Sequence, residues 1–167
     1  MASLALSFML TSREVVTSRP RNDGAALTRP EIVISGNSGR DFEFLSPGVL
    51  PKWVEPNLQS ACHVLVLPRN WDQQDAAPVR AEVVTRAIET LSAFMSDNSA
   101  IAQWTPTQLS GVQLDWHENA IDLEISFEPG QNDGYAVFSD NSGAEWDGPV
   151  ADHVQELRQL FRNRLVR

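Results

Sequence analysis

Cysteine and lysine are almost absent from this chain, which has one of each among its 167 residues. The lone cysteine, Cys62, excludes an internal disulfide and a zinc site built from cysteines. We interpret Cys62 as a buried small apolar residue. His63 is badly placed to activate its thiol, because neighbouring residues on a strand point to opposite faces.

Residues 1–10 are largely apolar, but we expect them to be neither a targeting nor a membrane-spanning signal. They lack a basic start and a small-residue cleavage site, and they are too short to cross a bilayer. Their alternating pattern predicts a strand instead. We therefore expect a cytoplasmic protein without a membrane partner.

Basic residues are scarce: 13 Lys and Arg accompany 22 Asp and Glu, for a net charge of -9 and a pI of about 4.7. Residues 1–60 hold six basic and six acidic residues, so the whole excess lies in residues 61–167. From Asp97 to Glu156 there are twelve acidic residues and no Lys or Arg. Nucleic-acid binding requires Lys and Arg that neutralise phosphates, so we expect none. The expected partner is a protein with a basic surface.

The chain carries none of the short motifs that mark common catalytic or cofactor sites. Its three histidines lie in separate predicted elements and match no HExxH pattern, and there is no P-loop, GxGxxG or GxSxG. The acidic stretch 140–148 does not match a calcium loop. We therefore expect no catalytic residue, no metal and no cofactor. Asp72 and Asp75 could pair as catalytic carboxylates, but a helix cap is the favoured interpretation.

The first part of the chain predicts strands and a connector. Residues 1–17 favour a strand, and Glu31–Gly36 with Asp41–Leu45 predict a hairpin. Three prolines make residues 46–60 an irregular or extended connector. The apolar run 61–68 has the length of a strand, although a buried helical turn fits it as well.

The second part predicts helices around a meander. Apolar residues at helical spacing predict a main helix over 79–96. Residues 104–139 predict three antiparallel strands, and the polar stretch 140–149 predicts a loop. An amphipathic helix is predicted over 150–165.

We expect an α+β fold, in which the antiparallel meander packs against the main helix and the C-terminal helix covers more apolar area. The additional N-terminal strands either extend this sheet or form a second small sheet. The predicted domains are 1–60, the strands and connector, and 61–167, the acidic helix-plus-meander domain. One continuous domain is the alternative.

The central hairpin of the meander, residues 111–128, predicts which side chains share a face. If Glu118 and Asn119 are the central turn residues, Asp115 pairs with Asp122. One face then holds Val112, Leu114, Trp116, Ile121, Leu123 and Ile125. The other face holds Gln113, Asp115, Asp122 and Glu124. The opposed Asp115 and Asp122 would cost roughly 0.2–1 kcal/mol.

Acidic residues of the meander and one tryptophan are the candidate partner-binding residues. Trp146 lies in a Gly-containing predicted loop, so core packing and an interface role both stay open. The plain alternative for the carboxylates is a solvated face that keeps the protein soluble. The candidates are Asp115, Glu118, Asp122, Glu124, Glu128 and Trp146.

Motifs between residues 65 and 149 resemble a recurring family of small uncharacterised bacterial proteins. LPRNWD matches its Leu-Pro-x-x-Trp-Asp segment, PTQLSGVQLDW its Pro-Thr-x-x-Gly-Gly-Val-x-Leu-Glu-Trp strand, and LEI and EWDGP two later motifs. The chain departs from this pattern at 73–75, where the family has a Gly-containing stretch, and at Ser110 and Asp115. The resemblance implies a small helix-plus-meander domain of the accessory or antitoxin-like kind. It carries over no catalytic residue.

Three functions stay open at this stage. The first is a non-enzymatic acidic protein-binding module, an antitoxin-like inhibitor or regulatory subunit that engages a basic surface of a partner protein. The alternative is a structural subunit of a larger phage or defence complex, assembled when the N-terminal strand pairs with a neighbour's sheet edge. A homo-oligomer is compatible with either. The third is an enzyme with a carboxylate site.

Overall fold

The computed structural model describes residues 7–9, 31–35, 41–45 and 51–166. The chain divides into two compact units, Met1–Leu50 and Pro51–Arg167. The division falls at 50/51 instead of the predicted 60/61, because a helix that begins at Val54 runs across the predicted boundary.

The first unit contains a three-stranded antiparallel sheet. Its strands are β1 (Ser7–Met9), β2 (Glu31–Ser35) and β3 (Asp41–Leu45). β2 pairs with β3 as the predicted hairpin, and β1 pairs with β3 on its other side. The described N-terminal strands therefore form a small sheet of their own, which is the second of the two expected arrangements. The rest of the strand predicted over 1–17 lies outside the described residues.

The second unit is an α+β arrangement of five strands and three α-helices. Its strands form one antiparallel sheet in sequence order, so the predicted meander with a main helix and a C-terminal helix is confirmed. The elements are α1 (Val54–Leu65), α2 (Ala81–Phe94), β4 (Gln103–Pro106), β5 (Val112–Glu118), β6 (Ile121–Phe127), β7 (Tyr135–Asp140), β8 (Glu145–Pro149), a 3-10 turn (Val150–His153) and α3 (Val154–Asn163). The prediction of three strands over 104–139 is wrong in number, because β4 is a separate strand and four strands lie there.

Helix α1 corrects the predicted connector, which is wrong for residues 54–60. Pro56 does not break the helix, because residues of the first turn need no N–H donor. The apolar run 61–68 begins as the end of this helix, so the helical interpretation of the run holds up to Leu65. Buried apolar residues recur along α1 at three- or four-residue spacing: Val54, Leu58, Ala61 and Val64.

The β5–β6 hairpin turns one residue later than predicted. Its central residues are Asn119 and Ala120, which have positive φ angles of 53° and 61°. Positive φ at both positions corresponds to a type I′ turn, whose twist matches that of the flanking strands. Asparagine adopts positive φ more readily than glutamate, because its short side-chain amide can form local hydrogen bonds. This favours Asn119 over Glu118 as the first central residue of the turn.

The later turn changes the predicted pairs but keeps the predicted faces. The pairing of Asp115 with Asp122 is wrong: Asp115 lies opposite Glu124, and Asp122 lies opposite His117. The pairing moves by two residues in total, and side chains alternate with a period of two, so each stays on its predicted face. All six apolar residues of the predicted inner face are buried: Val112, Leu114, Trp116, Ile121, Leu123 and Ile125.

The segment predicted as a loop over 140–149 contains the fifth strand, β8. Gly143, with φ of 84°, lies in a tight turn before it. The Asp140 carboxylate stabilises that turn by accepting the backbone N–H of Ser142 at 2.8 Å. β8 then pairs along β7 and places Trp146 on the inner face of the sheet. The loop prediction is wrong because the outward positions of β8 are acidic and follow a polar turn.

The same Asp140 carboxylate ties β7 to the C-terminal helix. It accepts a hydrogen bond from the Arg164 guanidinium at 2.5 Å. The Ser142 hydroxyl and then the Arg164 guanidinium hold the pKa of Asp140 well below its usual range. The Arg164 carbonyl accepts the Asn119 side-chain amide at 2.9 Å. The end of α3 is therefore fastened to both the β5–β6 turn and the β7–β8 turn.

The helices pack against one face of the sheet, and this layer forms the core. Helix α2 packs on β5 and β6. Phe161 of α3 stacks on Phe94 of α2 at 5.1 Å and meets Trp116 edge-on at 5.0 Å. Helix α1 packs beside β4, where the Trp104 indole donates to the buried Asn57 side chain at 2.9 Å. Because all three helices lie on this face, no helix of residues 51–166 covers the other face of the sheet.

Two leucines give a matched test of the core. Leu114 on β5 is 0% exposed, whereas Leu109 in the β4–β5 turn is 73% exposed. We expect Leu114→Ala to lower the free energy of unfolding by about 2–5 kcal/mol, because it leaves a cavity. Leu109→Ala should change it by about 0.5 kcal/mol or less. Urea unfolding of the full chain measures both, and equal effects would contradict the described burial.

Candidate functional site

The candidate site is the face of the five-stranded sheet that points away from the helices, which we call the outer face. Side chains alternate along each strand, so the residues between the buried ones share it. It carries five carboxylates and one imidazole, and strands β4 to β8 contain no Lys or Arg. Its members are Gln103, Thr105, Gln113, Asp115, His117, Asp122, Glu124, Ser126, Tyr135, Val137, Ser139, Glu145, Asp147 and Pro149.

Strand pairing arranges the carboxylates in two rows across the sheet. One row consists of Gln103, Asp115, Glu124, Val137 and Asp147. The next consists of His117, Asp122, Ser139 and Glu145. Neighbouring strands lie about 4.8 Å apart, so the directly opposed Asp115 and Glu124 repel each other.

Asp115 is the most buried carboxylate of the outer face, with 8% of its surface exposed. Its oxygens accept hydrogen bonds from the Gln113 side chain at 2.7 Å and the Thr105 hydroxyl at 3.3 Å. The ion pairs found within residues 51–166 do not include it. Neutral donors disperse its charge without cancelling it, so Asp115 adds to the negative potential of the outer face.

His117 lies beside Asp122 on the outer face, with 2.8 Å between Nδ1 and the carboxylate oxygen. This hydrogen bond, against an opposing effect of burial, raises the pKa of His117 above its usual 6.5. The negative charges of Asp115 and Glu124 act in the same direction. Protonation of His117 therefore reduces the net negative charge of the outer face as the pH falls.

Strand β7 places two large side chains with apolar surface, Tyr135 and Val137, on the acidic outer face. Val137 is 46% exposed and Tyr135 is 42% exposed. Val137 lies between Glu124 of β6 and Asp147 of β8, and Tyr135 lies one row further along, between Ser126 and Pro149. The Tyr135 hydroxyl donates to the Asp147 carboxylate, which raises the pKa of the phenol. Exposed apolar groups rimmed by polar residues are typical of protein-binding surfaces.

The structure brings only half of the six candidate partner-binding residues together. Asp115, Asp122 and Glu124 share the outer face. Glu118 ends β5 in register with Ile121, on the inner side of the sheet. The remaining two candidates, a glutamate and a tryptophan, also lie elsewhere.

Glu128 stabilises a turn. Its carboxylate accepts the Thr107 hydroxyl at 3.1 Å, and the same hydroxyl accepts the Gly111 N–H at 3.0 Å. The backbone carbonyl of Glu128 accepts the Arg86 guanidinium at 2.8 Å. A side chain at Gly111 would collide with the Glu128 carboxylate. Glu128 therefore fastens the β4–β5 turn to the end of β6.

Trp146 packs on the inner face, on the opposite side of the sheet from the carboxylates of the outer face. Its ring centroid lies 5.2 Å from that of Phe138 and 4.1 Å from that of His153, with both pairs stacked. The partly exposed ring also lines an open cavity of about 260 Å³ beside Leu160 and Arg164 of the α3 end. Core packing is thus observed for Trp146, and any partner contact there would be separate from the outer face.

The sequence pattern misses the part of the outer face that β7 and β8 contribute. Because it predicts a loop over 140–149, it gives Glu145 and Asp147 no place on a sheet. The alternation of Glu145, Trp146 and Asp147 is the signal that could identify β8, since an aromatic between two carboxylates is typical of a half-buried strand. Tyr135 and Val137 stand out only once both neighbouring strands are known.

The carboxylates considered for catalysis stabilise a loop. Asp72 accepts the backbone N–H of Gln74 at 2.8 Å and of Ala76 at 3.0 Å, both of which precede α2. Asp75 pairs with Arg69 at 3.2 Å. Within residues 51–166 no group of three or more His, Cys, Asp or Glu side chains is arranged to hold a metal ion. The described helices are all too short or too polar to cross a membrane.

Comparison with known proteins adds no relative. No protein-family model, no curated protein and no solved structure matches the chain. The resemblance carried by residues 65–149 therefore stays a prediction. Function has to be inferred from the outer face itself.

The His117–Asp122 pair leads to a prediction about pH. NMR titration of the full chain should give His117 a pKa above 6.5, and Asp122→Asn should lower it by weakening the hydrogen bond. Glu145→Gln, which removes a carboxylate from the same row, should leave this pKa nearly unchanged. A His117 pKa that does not change with Asp122→Asn would contradict the described hydrogen bond between His117 and Asp122.

The sign of the stability effect follows from the direction of the pKa shift. A raised pKa in the folded state stabilises the fold fully below the unfolded-state value, and this contribution disappears as the pH rises through the raised value. The loss of stability caused by Asp122→Asn should therefore be larger below pH 6.5 than above the raised pKa of His117. Urea unfolding of both chains across this range measures it.

Proposed function

We propose that this protein is a non-enzymatic binding module of the cytoplasm, whose outer face engages a basic surface of a partner protein. One observation carries the proposal: a helix-free sheet face holds five carboxylates and no Lys or Arg, with two exposed side chains, Tyr135 and Val137, among them. Its role is that of an antitoxin-like inhibitor or regulatory subunit, which masks the basic surface that it covers.

Charge and apolar contact would contribute to this binding in different ways. The carboxylates of β5, β6 and β8 attract a basic partner and raise the association rate. Salt weakens that effect, because the Debye length is about 10 Å at 0.1 M ionic strength. Tyr135 and Val137 leave water only when the complex closes, so they mainly slow dissociation.

The combination of residues favours binding over a purely solubilising face. A surface that only keeps a protein soluble gains from Asp and Glu, but it carries few exposed large apolar side chains. The outer face combines five carboxylates with exposed apolar groups. Val137 and Tyr135 are among the most exposed large apolar residues of the second unit. A partner that supplies positive charge and apolar surface would satisfy both features together.

Charge reversal on the outer face tests the proposal. We expect Asp122→Lys with Glu124→Lys to abolish capture of a partner that the wild-type chain retains from its host at low salt. The control pair, Glu89→Lys with Asp97→Lys, makes the same change in net charge at exposed positions outside the sheet. The partner should remain bound to the control and be released from the wild type by high salt. Equal retention by both variants would refute the role of the outer face.

A second candidate function has support from the N-terminal unit. Its sheet has the order β1-β3-β2, so β1 lies at an edge, where a strand from a neighbouring subunit could pair. In this alternative the protein is a structural subunit of a larger phage or defence complex. Association through a backbone edge depends less on salt than association through carboxylates.

Deleting residues 1–17, which removes β1, separates the two candidates. If β1 carries assembly, light scattering should show a complex for the full chain and a smaller species for the truncated chain. The circular dichroism spectrum should retain the signal of the second unit. Capture of a basic partner by the outer face should not change. Assembly that survives the deletion would contradict the subunit role.

A further inference from the structure

We infer that the partner element seated on the outer face is a basic amphipathic α-helix that lies along β7. The inference rests on the proposed function and goes beyond it, because it names the shape and charge pattern of the partner. Three features carry it: an apolar ridge on β7, a column of carboxylates on each side of that ridge, and proline residues at both edges of the sheet.

The ridge and the columns follow from the strand order β6-β7-β8. The ridge consists of Tyr135 and Val137, which are 42% and 46% exposed. One column consists of Asp122 and Glu124 on β6, and the other consists of Glu145 and Asp147 on β8. All four carboxylate residues are exposed. In the row Glu124, Val137 and Asp147, the pattern across the strands is therefore acidic, apolar, acidic. Tyr135 extends the ridge by one row, between Ser126 and Pro149.

The width of this pattern matches an α-helix. Strands are about 4.8 Å apart, so the columns on β6 and β8 are separated by about 10 Å. A helix with its side chains is about 10–12 Å across. A helix centred over β7 would place an apolar stripe on the ridge and one flank above each column. Lys and Arg beside the stripe can lay their stems on apolar surface while their charged ends reach the carboxylates.

The spacing along the strands matches as well. The two carboxylates of each column are two residues apart, which is about 7 Å on a strand. Residues i and i+4 of a helix are separated by about 6 Å along its axis. Two basic residues at i and i+4 on each flank would therefore meet both members of a column. The expected partner helix has an apolar stripe with such a basic pair on either side.

The edges of the sheet make strand addition the weaker mode of docking. β4 ends in Pro106 and packs beside α1, and β8 ends in Pro149. Proline has no N–H to donate to an added strand, and natural proteins use it to protect sheet edges. A partner would therefore approach the face of this sheet and leave its edges unpaired.

Two synthetic peptides test this inference on the full chain. The first is an amphipathic helix with a leucine stripe flanked on both sides by lysines at i and i+4. The second has the same composition, with lysine and leucine in alternation, so that it favours a strand. We expect the helical peptide to bind at least about tenfold more tightly than the alternating peptide, because burial of one apolar side chain contributes about that much affinity. Fluorescence anisotropy gives the affinities, and NMR shifts of the Val137 methyl groups report the location.

Substitutions then separate the ridge from the columns. Val137→Ser should weaken binding of the helical peptide about tenfold, the order expected from one buried valine. Val66→Ser makes the same change at an exposed valine after α1, and it should leave the affinity unchanged. Asp122→Lys with Glu124→Lys should abolish binding of both peptides. Thermal unfolding confirms that each variant is folded.

The outcomes distinguish the helix from the proposed function. Equal affinity of the two peptides, with no effect of Val137→Ser, would overturn the helix and leave charge-driven binding by the outer face intact. Tighter binding of the alternating peptide, with shifts along β8, would overturn it in favour of strand addition. Failure of the helical peptide to bind would also overturn it, while capture of the cellular partner remains the separate test of the outer face. Self-association without peptide would assign the face to a second copy of the chain.

Discussion

Burial of one face of the meander is the constraint on which the rest of the second unit depends. Leu114, Leu123 and Ile125 lie on adjacent strands with none of their surface exposed. Each such side chain contributes about 1.5–3 kcal/mol when it leaves water. A slip of one residue in the pairing would turn all of them outward. The register of β5 and β6 is therefore set by the core, and the core in turn decides which residues form the outer face.

The same constraint reaches the ends of the sheet. The register of β5 and β6 places the type I′ turn at Asn119 and Ala120 next to the end of α3. There the Asn119 side-chain amide donates a hydrogen bond to the Arg164 carbonyl. Arg164 also holds Asp140 at the start of the β7–β8 turn. The C-terminal end of α3, packed through Phe161 on the inner face, thereby fixes both turns. Helix, turns and outer face form one connected arrangement.

Periodicity predicted the elements that bury a regular stripe and failed where other forces decide. It found α2, α3 and both faces of the β5–β6 hairpin. It could not find the central turn residues, because a shift of two residues in the strand pairing leaves the pattern of buried and exposed positions unchanged. The observed register differs from the predicted one in placing positive φ angles at Asn119 and Ala120. It left the run 61–68 undecided, since a short apolar run suits a strand or a helix equally. It missed β8 because acidic residues at outward strand positions have the composition of a loop.

The candidate site was predictable to the extent that it follows from the hairpin. Asp115, Asp122 and Glu124 share a face in either register. The contact of Glu128 with Thr107 could not be predicted, because Thr107 is distant in sequence and lies beside it only in the folded sheet. The β8 column could not be placed without β8 itself. Sequence therefore gave the acidic character of the site, and structure supplied its width and the apolar ridge.

The outer face departs from what folding alone would favour. Asp and Glu are depleted in strands, and the opposed Asp115 and Glu124 cost roughly 0.2–1 kcal/mol, an amount that the buried inner face easily outweighs. Val137 and Tyr135 suit a strand by propensity, but each leaves apolar surface exposed to water, away from the core on the opposite side. Local rules broken without a gain in stability are expected where a surface serves function. Both departures occur on the same few strands, and docking of one positively charged surface with an apolar stripe would relieve both at once.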